Sequence, residues 1–296
     1  MDDEKWFAER FEEHRPRLRA VAYRMLGSFA DAEDALQDAW LRISRADVRA
    51  AEIENPAGWL TTIVGRVCLN ALRSRRTRAE EPWDGSLPDP VVAEDGPPTP
   101  EDAALLADDV GLALQIVLDT LSPDERLAFV LHDMFEVPFP EIAAVLERED
   151  AATRQLASRA RKRVSTARIP EQQRDVARQR AVVDAFFAAA REGDLDALVS
   201  VLHPDVVARA DFGAIKLPRP ALVRGARTVA QNAKIGYVPA AELRPVLVNG
   251  AAAALVVRDG RPTTIMAFTV VDGLITALDI YGDPDRVREL ATPVLS

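Results

Sequence analysis

The 296-residue sequence has one cysteine, Cys68, and three histidines, His14, His132 and His203, far apart along the chain. A single thiol excludes an internal disulfide framework, and no histidine or cysteine spacing resembles a zinc site. No apolar run approaches the roughly 18 residues that would span a bilayer. The N-terminal MDDEKWFAER is acidic and lacks the apolar segment of a secretion signal. These absences predict a soluble cytoplasmic protein with no metal, no cofactor and no membrane partner. At 48% hydrophobic content the chain can bury ordinary globular cores, and its length suggests two domains or three small ones.

The formal net charge is −10, and its distribution is uneven. Basic and acidic residues number 14 and 13 over residues 1–78, 8 and 9 over 111–168, and 15 and 15 over 169–296, whereas residues 79–110 carry none and 10. That acidic stretch, AEEPWDGSLPDPVVAEDGPPTPEDAALLADDV, also holds six prolines, which donate no backbone hydrogen bond and do not continue a helix, so it reads as a linker. On either side of it the positive charge is concentrated. Residues 59–78 carry five arginines and no acid, and residues 154–168 carry six basic residues and no acid.

The N-terminal part has helical periodicity. Gly27 and Ser28 interrupt one amphipathic run, and the next places Ala32, Ala35, Leu36, Ala39, Trp40 and Ile43 on one face, with Glu33, Asp34, Gln37 and Asp38 opposite. Asn55-Pro56 is a helix-start signal for AGWLTTIVGRVCLNALRSRRTR, in which Trp59, Leu60, Ile63, Val67, Leu69 and Leu72 can face a core. Gly65 weakens the middle of that run, which predicts two helices broken near Val64–Val67. Further on, Ser122-Pro123 with Glu125 has the form of an N-cap, a first-turn proline and a carboxylate at the positive end of a helix. Leu127, Val130, Leu131 and Met134 line its apolar face. A second helix is expected from about Pro140 to Leu146, then a turn over 147–150, then a basic helix. Along that helix Arg154, Gln155, Ser158, Arg159 and Lys162 share a face, with Leu156 and Ala160 behind: the outline of a helix-turn-helix whose long donors can reach base edges and phosphates.

The succession DAEDALQDAWLRI, NPAGWLTTIVGRVCLNALRSRR and LSPDERLAFVLHDMFEVPFPEIAAVLEREDAATRQLASRARKR resembles the extracytoplasmic-function (ECF) sigma factors of bacterial RNA polymerase over about residues 5–168. The resemblance implies that Asp34, Gln37, Asp38 and Leu41 grip the clamp helices of the largest subunit of the polymerase core. It implies that Trp59, Leu60, Arg66, Asn70, Arg73, Arg75 and Arg76 handle the melted minus-ten element of promoter DNA, and that Arg154, Gln155, Ser158, Arg159 and Lys162 read the minus-thirty-five element. Arg66 stands where many members have Asn. The implied domains are region two over 1–79, the acidic linker over 80–110, region four over 111–169 and an extension over 170–296. The linker carboxylates either mimic nucleic acid or serve solubility, and the sequence does not separate the two.

In the extension, an amphipathic helix over about Gln172–Arg191 precedes a short helix and a strand start in EGDLDALVSVLHPDVVARAD. A run of three antiparallel strands follows, punctuated by Gly250, Asp259-Gly260 and Asp272-Gly273 as hairpin turns. This order predicts an α+β cone, so the whole chain is expected to be multidomain: two all-α sigma domains followed by the cone. GDLDALVSVLHPDV and FTVVDGLITALDIYGDPDRV are similar to SnoaL-like domains of the NTF2 superfamily, which a subgroup of ECF sigma factors carries. In that subgroup a linker motif like Leu87-Pro88-Asp89-Pro90 recurs, as does a tail motif like NPDKL; here Asp283-Pro284-Asp285-Arg286-Val287 stands at the latter. The resemblance implies that the two motifs meet in a cis-regulatory contact.

Cone folds also house enzymes, and His203, Asp205, Asp211 and Tyr281 are the polar groups to weigh. No nucleophile-base pair or metal set is legible among them, so the chain is not read as an enzyme. Two other readings remain at this point: a one-component helix-turn-helix regulator with a cone that senses an unidentified small ligand, and an isomerase or cyclase fused to DNA-binding helices.

Overall fold

The computed structural model describes residues 3–45, 53–78, 87–96, 112–166, 175–213, 215, 221–236 and 241–295. The chain divides into two compact units, each drawn from two stretches: residues 1–82 with 114–169, and residues 83–113 with 170–296.

The first unit is helical. Helix α1 spans Asp3–Leu26 and α2 spans Phe29–Ile43, separated where Gly27 takes φ +76° and Ser28 caps α2 through its hydroxyl on the Asp31 amide. Helix α3, Pro56–Arg78, starts as expected, with the Asn55 side chain accepting from Gly58 N at 3.1 Å. The expected break near Val64–Val67 is absent: α3 is one continuous helix. A Cβ at Gly65 would lie 3.1 Å from Leu131 Cδ1 and 3.2 Å from Leu127 Cδ1. The glycine therefore admits close packing from a neighbouring helix, and that packing outweighs its intrinsic cost of about 1 kcal/mol.

After α4, Leu112–Asp119, comes α5, Pro123–Phe129, which opens on the full capping box of Ser122 and Glu125 and runs into a π-helical turn over Val130–Met134. Helix α6 spans Phe139–Leu146 and ends on Glu147 at φ +56°; α7 spans Asp150–Thr166. Leu156, Ala157 and Ala160 of α7 are buried. Arg126 is the buried tie of this unit: it donates to the Arg24 carbonyl through Nε at 3.0 Å and Nη2 at 2.9 Å and pairs with Asp119. Burial pulls the pKa of its guanidinium down, opposed by Asp119. The same interior pushes the Cys68 thiol up to about 12 by desolvation. Among the described residues no helix is long and apolar enough to cross a membrane.

The second unit is α+β. Helices α8 (Val176–Glu192), α9 (Leu195–Ser200) and α10 (Ala226–Gly236) accompany a seven-stranded sheet. Its strands are β1 (Val92–Glu94), β2 (Leu202–Asp211), β3 (Leu222–Arg224), β4 (Glu242–Val248), β5 (Ala251–Arg258), β6 (Arg261–Val271) and β7 (Leu274–Tyr281), in the order β1-β4-β5-β6-β7-β2-β3. Among the described strands only β2 and β7 pair in parallel. The expected run of three strands is four, β4 to β7. Their three turns hold left-handed pairs at Asn249-Gly250, Asp259-Gly260 and Asp272-Gly273. The sequence reading also missed β3 and α10. Helix α11, Pro284–Leu290, follows β7.

Strand periodicity sorts the sheet residues into two faces. The row Ala252, Phe268, Leu278 and Ala208 faces the helices, packing with Val183, Phe186, Leu198 and Val229. Phe186, Phe187 and Phe268 meet edge to face within 5.8 Å in that interior. The rows Arg209–Asp279 and Asp211–Tyr281–Ile265–Leu255 lie on the other face.

Candidate functional site

On α2, the side chains at 34, 37, 38 and 41 follow one another at helical spacing, and all four are exposed. Among the described residues neither Asp34 nor Asp38 forms an ion pair, while Glu33 is held by Arg15 and Arg19, and Asp31 by Arg75. Leu41, next to Asp34 and Asp38 on the same face, is 42% exposed. Asp34 and Gln37 border a groove of about 340 Å³ between α1 and α2, lined also by Phe11, Arg15 and Trp40.

On α3, Leu60 is fully buried, so its side chain belongs to the core; Trp59 is half-buried, with its ring 5.5 Å from that of Phe7. Arg66, Asn70, Arg73 and Arg75 are exposed. Three of them already meet carboxylates: Arg66 with Glu147 at 2.6 Å, Arg73 with Asp124 at 2.8 Å and Arg75 with Asp31 at 2.5 Å. Asp124 also holds Arg148 at 2.9 Å. The Arg76 side chain lies outside the described residues.

On α7, Arg154, Gln155, Ser158, Arg159 and Lys162 are all exposed. The Arg154 guanidinium lies over the Phe139 ring at 4.6 Å from its centroid. Arg159 and Arg163 both approach the Glu125 carboxylate at 3.2 Å.

The fourth cluster lies in the second unit. Leu87–Val92, inside the stretch read as a linker, are buried and strap the sheet face opposite the helices. Leu87 N donates to Asp211 Oδ2 at 2.9 Å, Tyr281 OH to the Pro88 carbonyl at 2.9 Å, and Val91 N to Asn249 Oδ1 at 2.8 Å. Beyond Val91 the strap becomes β1 on the edge of β4. Arg286 of α11 is the central cation: it bonds Asp89 at 2.7 Å and Asp211 at 2.5 Å, donates to the Leu87 carbonyl, and lies 5.3 Å from the Tyr281 ring centre. Its burial would lower the guanidinium pKa, but Asp89 and Asp211 hold it above the ordinary arginine value. Asp283 caps α11 through the amides of Asp285 and Arg286. The structure thus brings the Leu87–Pro90 and Asp283–Arg286 motifs together.

The polar groups weighed for catalysis do not converge. Asp211 and Tyr281 are engaged by the strap, while Asp205 is exposed and its amide donates to His203 Nδ1 at 3.1 Å. The sequence reading missed Arg126, Asp124, Glu147 and Asn249. Arg126 carried one cue, being four residues before Val130 and hence a charge on the apolar stripe; the others looked like ordinary surface polar residues.

Residues 10–78 match the family model Sigma-70 region 2 and residues 112–164 match Sigma-70, region 4. ECF RNA polymerase sigma factor SigJ of Mycobacterium tuberculosis is 40% identical over 93% of this chain and 91% of its own length. The chain belongs to the ECF RNA polymerase sigma factors. The crystal structure of M. tuberculosis SigJ covers 94% of this sigma factor and 97% of its own chain, with a TM-score of 0.70. A second M. tuberculosis protein, named as a probable ECF RNA polymerase sigma factor SigI, is 34% identical over 94% of this chain and 93% of its own. The match runs through region two, which a one-component helix-turn-helix regulator would not need, and through the cone as well, so neither rival reading is favoured. This sigma factor therefore has the multidomain build expected of it: helical sigma regions followed by an α+β domain.

Proposed function

We propose that this sigma factor attaches to RNA polymerase core through Asp34, Gln37, Asp38 and Leu41, handles the minus-ten element with Trp59 and the exposed residues of α3, and reads the minus-thirty-five element with the outer face of α7. The observation that carries the attachment is the α2 stripe: two exposed carboxylates without ion-pair partners among the described residues, beside an exposed leucine, on a helix whose other acids are paired. Unspent charge next to apolar surface suits a basic partner helix. Leu60 supports the melting segment from beneath. The cone acts in cis as a holder of the linker and not as a catalyst, its most buried candidate groups, Asp211 and Tyr281, being spent on the strap. The test is reconstitution of the full-length chain with polymerase core on the gene's upstream region. A promoter-dependent run-off transcript is expected; failure to retain core would overturn the reading.

The helical unit belongs, on this reading, to a stage before promoter binding. The two promoter elements lie about 25 base pairs apart, roughly 85 Å at about 3.4 Å per base pair. Here α3 arginines sit against region-four carboxylates at 2.6 and 2.8 Å, so the regions must part before both elements are engaged. Asp124 and Glu147 then act as a latch that occupies Arg73 and Arg66. The Glu147 pair is exposed and contributes little to stability, and Asp124, 17% exposed, keeps a side-chain acceptor for Arg73 and Arg148 when changed to Asn, so Asp124→Asn with Glu147→Gln should fold. The double variant is expected to bind a single-stranded minus-ten oligonucleotide about twofold to thirtyfold more tightly at low salt. Equal affinity, measured by fluorescence anisotropy, would remove the latch.

A further inference from the structure

The Glu125 carboxylate has more to do than cap α5. Its side chain is 7% exposed and is fixed at the helix start, accepting from Ser122 N at 3.1 Å and from the Ser122 hydroxyl at 2.9 Å. Burial alone would raise its pKa, yet the Ser122 bonds and the charges of Arg163 and Arg159 hold it below the usual carboxylate range, so it stays ionised. From this fixed point Oε1 lies 3.2 Å from Arg159 Nε and Oε2 lies 3.2 Å from Arg163 Nη1. The orientation matters because a guanidinium has two useful edges. Nε is the Arg159 nitrogen paired with Glu125, so the terminal nitrogens of this 60% exposed side chain are left for another acceptor. Those two nitrogens form the fork that matches guanine O6 and N7 in the major groove. A long arginine side chain otherwise loses rotamer entropy when it binds; a buried carboxylate beside it removes part of that cost in advance.

We propose that Glu125 is a positioning residue for promoter reading: it orients Arg159 so that the arginine fork selects a guanine in the upstream element. The proposal rests on the assignment of α7 to the minus-thirty-five element, and the experiment separates the two. Holoenzyme reconstituted with the full chain is used to select its upstream sequence from a random duplex library. Affinity is then measured for the selected site, for the same site with each guanine pair in turn replaced by an adenine pair, and for unrelated duplex. Wild type should discriminate at one position by about 10-fold to 100-fold. Glu125→Gln, which keeps an acceptor for Ser122, should reduce that ratio to within a few fold while leaving affinity for unrelated duplex unchanged. Arg159→Ala should lose the same discrimination, and adding Glu125→Gln to it should change nothing more, the non-additivity that marks a coupled pair. If Arg159→Ala keeps the discrimination at every position, the reading of α7 itself fails. If Arg159→Ala loses it and Glu125→Gln keeps it, the positioning role alone fails. Arg159→Lys, at an exposed position with Glu125 intact, guards against a folding defect in the Glu125 variant: a lysine has no fork, so discrimination equal to that of arginine would also overturn the proposal.

Discussion

Asp34→Arg combined with Asp38→Arg is expected to abolish binding of polymerase core while leaving the helical unit folded. Both side chains are exposed and neither has an internal ion-pair partner among the described residues, so nothing in the fold depends on them. Substitutions at such positions usually change stability by no more than about 0.5 kcal/mol. The charge change is large, from two carboxylates to two guanidinium groups on the face proposed to meet a basic partner helix. Like charges set against each other at an interface cost several kcal/mol, so the affinity should fall by at least about 100-fold. The groove beside the stripe supplies a control: Trp40 borders it half-buried, its ring 5.4 Å from that of buried Phe11, so its truncation should cost stability as well as binding. Circular dichroism and co-purification with core separate the two effects. Wild-type core affinity in a folded double variant would move the attachment site elsewhere on the chain.

The second large effect is expected from Arg286→Ala. The guanidinium faces Asp89 and Asp211, two nearly buried carboxylates, and also holds the Leu87 carbonyl. Removing one partner of a buried charge set leaves the others uncompensated, at about 3–5 kcal/mol. The rest of the cone has its own core, around Phe186, Phe268 and Leu278, so the strap is the part free to give way. Release of Leu87–Val92 relieves Asp89 by returning it to water, and the strap loses its bonds to Asp211, Tyr281 and Asn249 together. Hydrogen exchange at the Leu87 and Val91 amides should accelerate by roughly 100-fold or more, with the β5 and β6 amides unaffected. Arg286→Lys should not restore protection, because one ammonium cannot match a planar fork shared among three acceptors. With the linker no longer held, run-off transcription at matched concentration is expected to rise. Unchanged exchange at Leu87 would mean that Arg286 does not hold the strap.

Much of the local structure follows from the sequence because its causes are local. Ser122 and Glu125 satisfy each other's amides at the start of α5, Pro123 has no amide to satisfy, and the capping box forms as expected. The Asn249-Gly250, Asp259-Gly260 and Asp272-Gly273 turns need left-handed backbone at adjacent positions, which those residue types supply, and β4 to β7 follow from them. The α2 stripe and the exposed face of α7 follow from helical period alone. The errors came where a distant part of the chain decides. Propensity alone makes Gly65 a helix breaker; Leu127 and Leu131, more than 60 residues away in sequence, make it a packing site inside one helix. Residues 87–92 looked like solvated linker from their prolines and acids, yet the sheet face supplies acceptors and donors that bury them. Arg126 is a charge on an apolar stripe, and only the fold shows the Arg24 carbonyl that gives its guanidinium a buried partner. The sequence by itself determined the capped start of α5, the hairpin turns between β4 and β7 and the outward faces of α2 and α7, because those depend on period, caps and turns. Only the tertiary structure decided which charges are spent internally, on Asp124, Glu147, Glu125 and Arg286, because an ion pair depends on a separation of a few ångströms between residues far apart in the chain.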